Sequence, residues 1–368
     1  MSCHPRVTEW ATTLQTHLPH LSKPQVMVLA LWSLGMVLAR SCALTAVSAC
    51  LAPWLYCKEN TLRQRLREFC YEAPAKRGKA RQAVVVESCF APLLAWVLSL
   101  WEGTQLALAL DATTLGDRFT VLVISVVYRG CAIPIAWTVL TANVEKAWRP
   151  EWWRMLRQLY RVVPPTWIVI VLADRGLYAR WLFLRITRLG WHPFLRINNG
   201  GTFRPTGERQ GVPLKTLVPQ PGSQWSGTGI AFKGRQRRLR CTLLARWEPG
   251  YQDPWLILTE LPPAVGEVCW YGLRAWIEIY QSYNLCNTQD RDGNLFSGRC
   301  RRWDAARRWR RRSSSAASAR TNHRGWEPLQ TCRAWSWPRR SQLCNVGSGI
   351  SSAATNSASV HSSASRST

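Results

Sequence analysis

The sequence predicts an α/β protein: a helical N-terminal region, a mixed α/β core, and a β-rich insertion late in that core. Three observations predict it. Apolar residues early in the chain recur at helical spacing, among them Val28, Leu31, Trp32, Leu34, Val37 and Leu38. From residue 105 the chain turns to short runs rich in β-branched residues, first separated by turns and then by helix-length segments. Between residues 199 and 265 Gly and Pro are frequent and the apolar runs shorten.

Taken in order, residues 1–81 form a helical unit ending in a basic linker. Residues 26–39 are its longest apolar stretch, too short to span a bilayer. Arg40 would sit inside any longer span, at a cost of up to ~3 kcal/mol, so the stretch reads as a buried helix and no membrane partner is expected. Residues 61–71 carry Arg63, Arg65 and Arg67 among Leu62, Leu66 and Phe69. A small basic helical domain of this kind either grips DNA or caps the next domain. The linker, 72–81, is rich in Lys and Arg.

Residues 83–100 read as one buried helix that Pro92 should kink or interrupt. A short apolar run, 106–110, ends in Asp111. Residues 119–128 and 131–140 are two more strands joined by Arg129-Gly130, which completes an antiparallel meander. Residues 148–162 are a helix with a basic face. Residues 167–173 are apolar without alternation, as suits a strand buried on both faces, and end in Asp174. A helix over 177–189 and a strand over 191–197 follow. Three antiparallel strands and then alternating helix and strand is the order of the ribonuclease-H-like fold, assigned to residues 82–198. The insertion, 199–265, contains a basic hairpin over 232–247. Residues 266–284 return to the core with a helix over 268–278.

The formal net charge is +27 over 368 residues. A surplus of that size repels itself unless a polyanion neutralises it, and nucleic acid is the commonest such partner. The N-terminus shows no secretory h-region, and none of the 13 cysteines form a CxxC pair. They read as reduced thiols in a cytoplasmic protein, without a structural zinc.

Strands 1 and 4 lie side by side in a ribonuclease-H-like sheet, so Asp111 and Asp174 at their ends should converge. Glu278, on a later helix, could pack against the same sheet. Three carboxylates at one point are costly unless cations neutralise them. Two divalent ions, Mg²⁺ or Mn²⁺, would do so and would suit in-line attack on a phosphodiester.

The local motifs sharpen this. Leu-Ala-Leu-Asp111-Ala-Thr-Thr, continuing through Tyr128-Arg129-Gly130 to Ile135-Ala136-Trp137, resembles the first catalytic region of insertion-sequence DDE transposases. Leu172-Ala173-Asp174-Arg175-Gly176 resembles the second. Trp270-Tyr271-Gly-Leu-Arg274-Ala-Trp-Ile-Glu278 resembles the third, the Tyr-x2-Arg-x3-Glu-x6-Lys signature of the IS-four family. The resemblance runs from about residue 20 to Glu278. It implies that Asp111, Asp174 and Glu278 are catalytic metal ligands, and that Arg274 and Tyr271 hold the backbone of the transposon end; the alternative for Arg274 is an internal salt bridge. It implies a double-stranded DNA substrate, both transposon ends and target, gripped by a homodimer in the bacterial cytoplasm at the nucleoid. Arg175 is a further phosphate contact or a structural residue. Lys233, Arg235, Arg237, Arg238 and Arg240 form a basic ridge that contacts DNA or is a solvated face, and Trp225 stacks on an extruded base or packs in the core.

The pattern breaks after Glu278. The signature Lys would fall at 285, where the residue is Leu285. Beyond it the chain becomes rich in Arg, Ser and Ala, without apolar periodicity, as in a disordered segment. Residues 285–368 read as a tail translated out of frame, or as a genuine basic arm. Trp at 303, 309, 326, 335 and 337 suits an arm poorly. Activity is therefore expected to be weak or lost. A nuclease that does not rejoin strands and a non-catalytic relic that still binds transposon ends are the alternatives. Translating the gene downstream of codon 278 in the other two frames separates the two origins of the tail. The frameshift predicts a Lys seven codons on, followed by helix-period apolar residues. Closed, unpatterned frames would establish a native arm.

Overall fold

The computed structural model describes residues 4–76, 82–142, 148–232 and 238–277. The N-terminal unit is four helices: α1 (Pro5–His17), α2 (Lys23–Ala39), α3 (Leu44–Leu51) and α4 (Glu59–Phe69). α2 starts at a capping box, with the Ser22 N–H donating to Gln25 Oε1 at 2.9 Å, and stops at Arg40 in the left-handed region. Its Gly35 faces α3 so closely that a Cβ there would stand 2.6 Å from a methyl of Val47. Leu31 and Leu34 of α2 pack with Leu62 and Leu66 of α4 in one apolar cluster, which leaves Arg63, Arg65 and Arg67 in solvent. Among the described residues no single helix is long and apolar enough to cross a membrane; α2 and α3 together would suffice by length and composition, but they are bent by 92°.

The 83–100 segment is not one helix. Residues 82–85 are irregular, a 3-10 turn occupies Val86–Cys89, and α5 runs Phe90–Ser99. Pro92 thereby falls in the first turn of α5, where a missing N–H costs nothing.

Ten strands form one mixed sheet in the order β3-β2-β1-β4-β5-β10-β9-β8-β6-β7. The meander is β1 (Gln105–Leu115), β2 (Phe119–Tyr128) and β3 (Cys131–Thr141). Arg129 and Gly130 both take positive φ, 39° and 86°, as a two-residue hairpin turn of the right twist requires. Pro134 lies on the edge strand β3, and the register slips beside it, between Ile124 and Ser125. α6 (Trp148–Tyr160), β4 (Ile168–Ala173), α7 (Arg180–Arg188) and β5 (His192–Arg196) follow. β4 pairs parallel to both β1 and β5. The fold is therefore mixed α/β with N-terminal helices and a ten-stranded sheet.

The segment expected as a β-rich insertion, 199–265, is rich in strands, and these join the main sheet. Its strands β6 (Thr202–Pro205), β7 (Val212–Pro213), β8 (Gln224–Ala231), β9 (Leu239–Arg246) and β10 (Trp255–Thr259) extend the same sheet, with only the short helix α8 (Leu214–Leu217) between them. β10 closes the gap by pairing antiparallel with β5. An open β5 edge would leave backbone N–H and C=O groups unpaired, and β10 satisfies them.

Alternation sorts the sheet into two faces. Leu106, Leu108, Leu110, Val169 and Val171 join α5, α6 and α7 in one core. Ala107, Ala109, Ile170, Leu172 and Phe194 point the other way, against Trp270, Tyr271, Leu273 and Ile277. The expected helix over 268–278 is a 3-10 helix across Val268–Arg274, with α-helical backbone resuming at 275–277. Gly272 is a poor helix former, and burial of Trp270 through Arg274 flattens the segment on the small side chains of Ala107 and Ala109. Seven of the described cysteines are free thiols; Cys269 departs from the expectation of reduced thiols and is disulfide-bonded.

Among the described glycines, Gly229 of β8 leaves the least room for a side chain. A Cβ there would lie 2.3 Å from the carbonyl oxygen of Arg204 and 2.6 Å from the Phe203 ring. Gly229→Ala should cost roughly 2–3 kcal/mol, as overpacking does, read as a lower urea midpoint. A cost below about 0.5 kcal/mol, typical of an exposed site, would mean that β6 and β8 are not packed this way.

Candidate active site

Three segments meet at one sheet edge. The parallel pairing of β1 with β4 ends at Leu110↔Ala173, so Asp111 and Asp174 are the next residue on each neighbouring strand. Asp174 ends its strand as expected. Asp111 does not: β1 continues to Leu115, held by β2 alone. Both residues share the parity of Ala107, Ala109, Ile170 and Leu172, and so face the Val268–Arg274 segment.

That segment places a cation between them. Arg274 Nη2 donates to Asp111 Oδ1 at 2.5 Å and lies 3.3 Å from Asp174 Oδ2. The Arg274 and Asp111 side chains are 7% and 9% exposed, and Asp174 is 41% exposed. The other oxygens are also engaged. Thr113 Oγ1 donates to Asp111 Oδ2 at 3.0 Å, and the Gly176 N–H donates to Asp174 Oδ1 at 2.9 Å. The latter is a local Asx turn, the reason an Asp at this strand end is favoured whatever its chemistry.

Tyr271 precedes Arg274 by three residues, one 3-10 turn, so the two share an edge of the helix. It is buried, with its ring edge-on to Trp255 at 5.6 Å and the Arg196 guanidinium 5.9 Å from its ring centre. Burial pushes its phenol above the usual range, while Arg274 and Arg196 pull it back and Asp174 adds to the rise. Burial likewise lowers Arg196, and Tyr271 opposes that. Arg175 turns from Asp174 to Asp253, donating to Oδ2 at 3.0 Å, while Asn199 Nδ2 reaches Oδ1 at 3.2 Å. Arginines 175, 196 and 274 thus interleave with aspartates 111, 174 and 253.

The structure brings Asp111, Asp174, Arg175, Tyr271 and Arg274 together. Glu278, Lys233, Arg235 and Arg237 lie outside the described residues. Arg238 and Arg240 are exposed at the start of β9, and Arg180 Nε donates to the Arg238 carbonyl at 3.3 Å. Trp225 is not brought to the carboxylates. It lies on β8, four strands from β4, which at ~4.8 Å per strand is about 19 Å away. Its ring packs edge-on against Phe203 and lies over Gly227. Arg196, Asp253 and Asn199 were missed by sequence reasoning. Arg196 could have been found, since it shares the parity of Phe194 on β5; the loop residues Asp253 and Asn199 carried no signal.

The fit to a divalent cation is divided. Carboxylate oxygens suit Mg²⁺ or Mn²⁺. Yet each of the four carboxylate oxygens of Asp111 and Asp174 already faces a donor, and a guanidinium stands between the two side chains. Among the described residues no three His, Cys, Asp or Glu side chains gather closely enough to hold a metal. Among the described residues, Asp111 and Asp174 are the carboxylates at this point, and in this arrangement the Arg274 guanidinium occupies the space between them.

Arg274→Met should strip Asp111 of its buried counter-charge and cost roughly 3 kcal/mol. The Asp111→Leu, Arg274→Met double variant should recover much of that loss in urea denaturation. Additive losses would show that the two side chains are not coupled.

No protein-family profile matches this chain, and no curated protein matches it. Among solved structures it is similar to the piggyBac transposase in its synaptic complex with hairpin DNA, at 10% identity and a TM-score of 0.36, over 76% of this chain and 65% of that one. It is also similar to human ENDOV, at 11% identity and a TM-score of 0.25, over 72% of this chain and 99% of that one.

Proposed function

We propose that this chain is a DNA transposase of the cut-and-paste type on a ribonuclease-H-like core, with its catalytic arrangement held closed. The observation that carries this reading is the pair Asp111 and Asp174, on adjacent parallel strands, at the same level and on the same face. The motifs around them, and Tyr271 with Arg274 on one helical edge, support the same reading.

The remaining surface suits duplex DNA. α4 holds Leu62 and Leu66 inward and presents Arg63, Arg65 and Arg67 outward. Beside Asp174, residues Gly176, Tyr178, Trp181, Trp148 and Arg149 line an open groove of about 740 Å³. Flat aromatic and guanidinium groups stack on unpaired bases, so this groove suits a single-stranded stretch beside the duplex. Arg149 already lies over the Trp181 ring, 5.5 Å from its centre.

A second reading, a DNA-binding relic without catalysis, is favoured by one observation: Arg274 fills the space between the two carboxylates. One experiment separates the two. The full chain is incubated with duplex DNA from either side of its own gene and from unrelated sequence, with Mg²⁺ or Mn²⁺. Both readings expect binding that weakens steeply with salt. Arg63→Ala with Arg67→Ala should reduce the log–log salt slope by about 2, one unit per lost phosphate contact. An unchanged slope would remove α4 from the interface. The closed transposase nicks flanking DNA weakly in an Asp111-dependent way, and the relic does not nick it at all. Absence of DNA binding at low salt would end both readings.

A further inference from the structure

We propose that Arg274 is a built-in counter-ion that excludes divalent cations from the Asp111–Asp174 pair, so that the site takes up metal only when this guanidinium has left. This rests on the transposase reading for the purpose of the site, though not for its geometry.

Two features carry the argument. The first is position: one nitrogen, Nη2, serves both carboxylates, at 2.5 Å from Asp111 Oδ1 and 3.3 Å from Asp174 Oδ2. A cation bridging Oδ1 of Asp111 and Oδ2 of Asp174 would stand where Nη2 now stands, while Oδ2 of Asp111 and Oδ1 of Asp174 already accept from Thr113 and Gly176. Guanidinium and metal therefore compete for one place. The second is anchoring. Arg274 is at the end of a buried segment fixed by Trp270, Tyr271 and Leu273 against the sheet, and its side chain is almost without solvent. It is held there as a tethered cation at high local concentration rather than resting on a surface. Arginine stays protonated at every working pH, so it cannot step aside by losing a proton. It can leave only by moving.

The test is a Mn²⁺ titration of the full chain, without DNA, followed by the electron paramagnetic resonance signal of free Mn²⁺ and by thermal unfolding. Arg274→Gln should bind Mn²⁺ at least about tenfold more tightly than the parent, and Mn²⁺ should raise its Tm while leaving the parent's unchanged. Adding Asp111→Asn should abolish the gain. In Arg274→Ala, guanidinium ion at non-denaturing concentration should displace Mn²⁺, an effect that a merely structural role for Arg274 would not produce. Parent and Arg274→Gln binding Mn²⁺ equally would overturn the proposal. If the Arg274 variants do not fold, the parent decides alone: saturable Mn²⁺ binding abolished by Asp111→Asn sinks the idea, and its absence sustains it. No arm contains DNA, so a failure of the transposase reading would appear only in the binding and nicking assays.

Discussion

The parallel pairing of β1 with β4 is the constraint on which the rest depends. Its register, ending at Leu110↔Ala173, sets Asp111 and Asp174 side by side. Strand alternation then puts both on the face where Ala107 and Ala109 leave room for a covering segment. A one-residue slip of β4 would send Asp174 to the opposite face and Ile170 and Leu172 with it. The site and the second core are therefore specified by the same register, and neither can change without the other.

Two like charges at neighbouring positions near a buried sheet edge would destabilise the fold. Arg274 removes that penalty, and the 3-10 geometry of Val268–Arg274 gives it the reach to do so. Its charge is not spare, however, because it is spent inside the protein. The same economy is seen at Asp253, which Arg175 and Asn199 hold together. A signature arginine expected to face a phosphate thus faces carboxylates in this arrangement. The residue type suits both roles, because a guanidinium fork fits either oxyanion.

Much of this was legible in the sequence. The run from Phe119 to Tyr128 and the Arg129-Gly130 turn were readable because β-branched residues and a positive-φ glycine leave few alternatives. The unbroken apolar run before Asp174 identified a central strand for a similar reason. The extent of β1 was not legible. Asp111 looks like a terminus because polar Thr113 and Thr114 follow it, whereas pairing with β2 carries the strand on to Leu115. The union of the 199–265 strands with the main sheet was invisible too. Gly and Pro richness marks short strands and turns but says nothing of their partners, and the pairing of β10 with β5 is long-range. The Arg274–Asp111 contact spans 163 residues, and nothing local in either segment announces it.

The charge balance connects the closed site to the exposed surface. With 48 basic residues against 21 acidic ones, most cations have no acid to pair with. Several acids are already taken: Asp111 by Arg274, Asp253 by Arg175, Glu151 by Arg154, Glu248 by Arg246. Each pair withdraws one positive charge from the surface and one negative charge with it, so pairing leaves the surplus where it was. The arginines of α4 stay exposed to solvent. A polyanion meeting this chain therefore finds exposed cations that it can reach without breaking an ion pair. The buried pair at the sheet edge is not among them, so a polyanion bound to the exposed arginines would leave the Arg274–Asp111 contact in place.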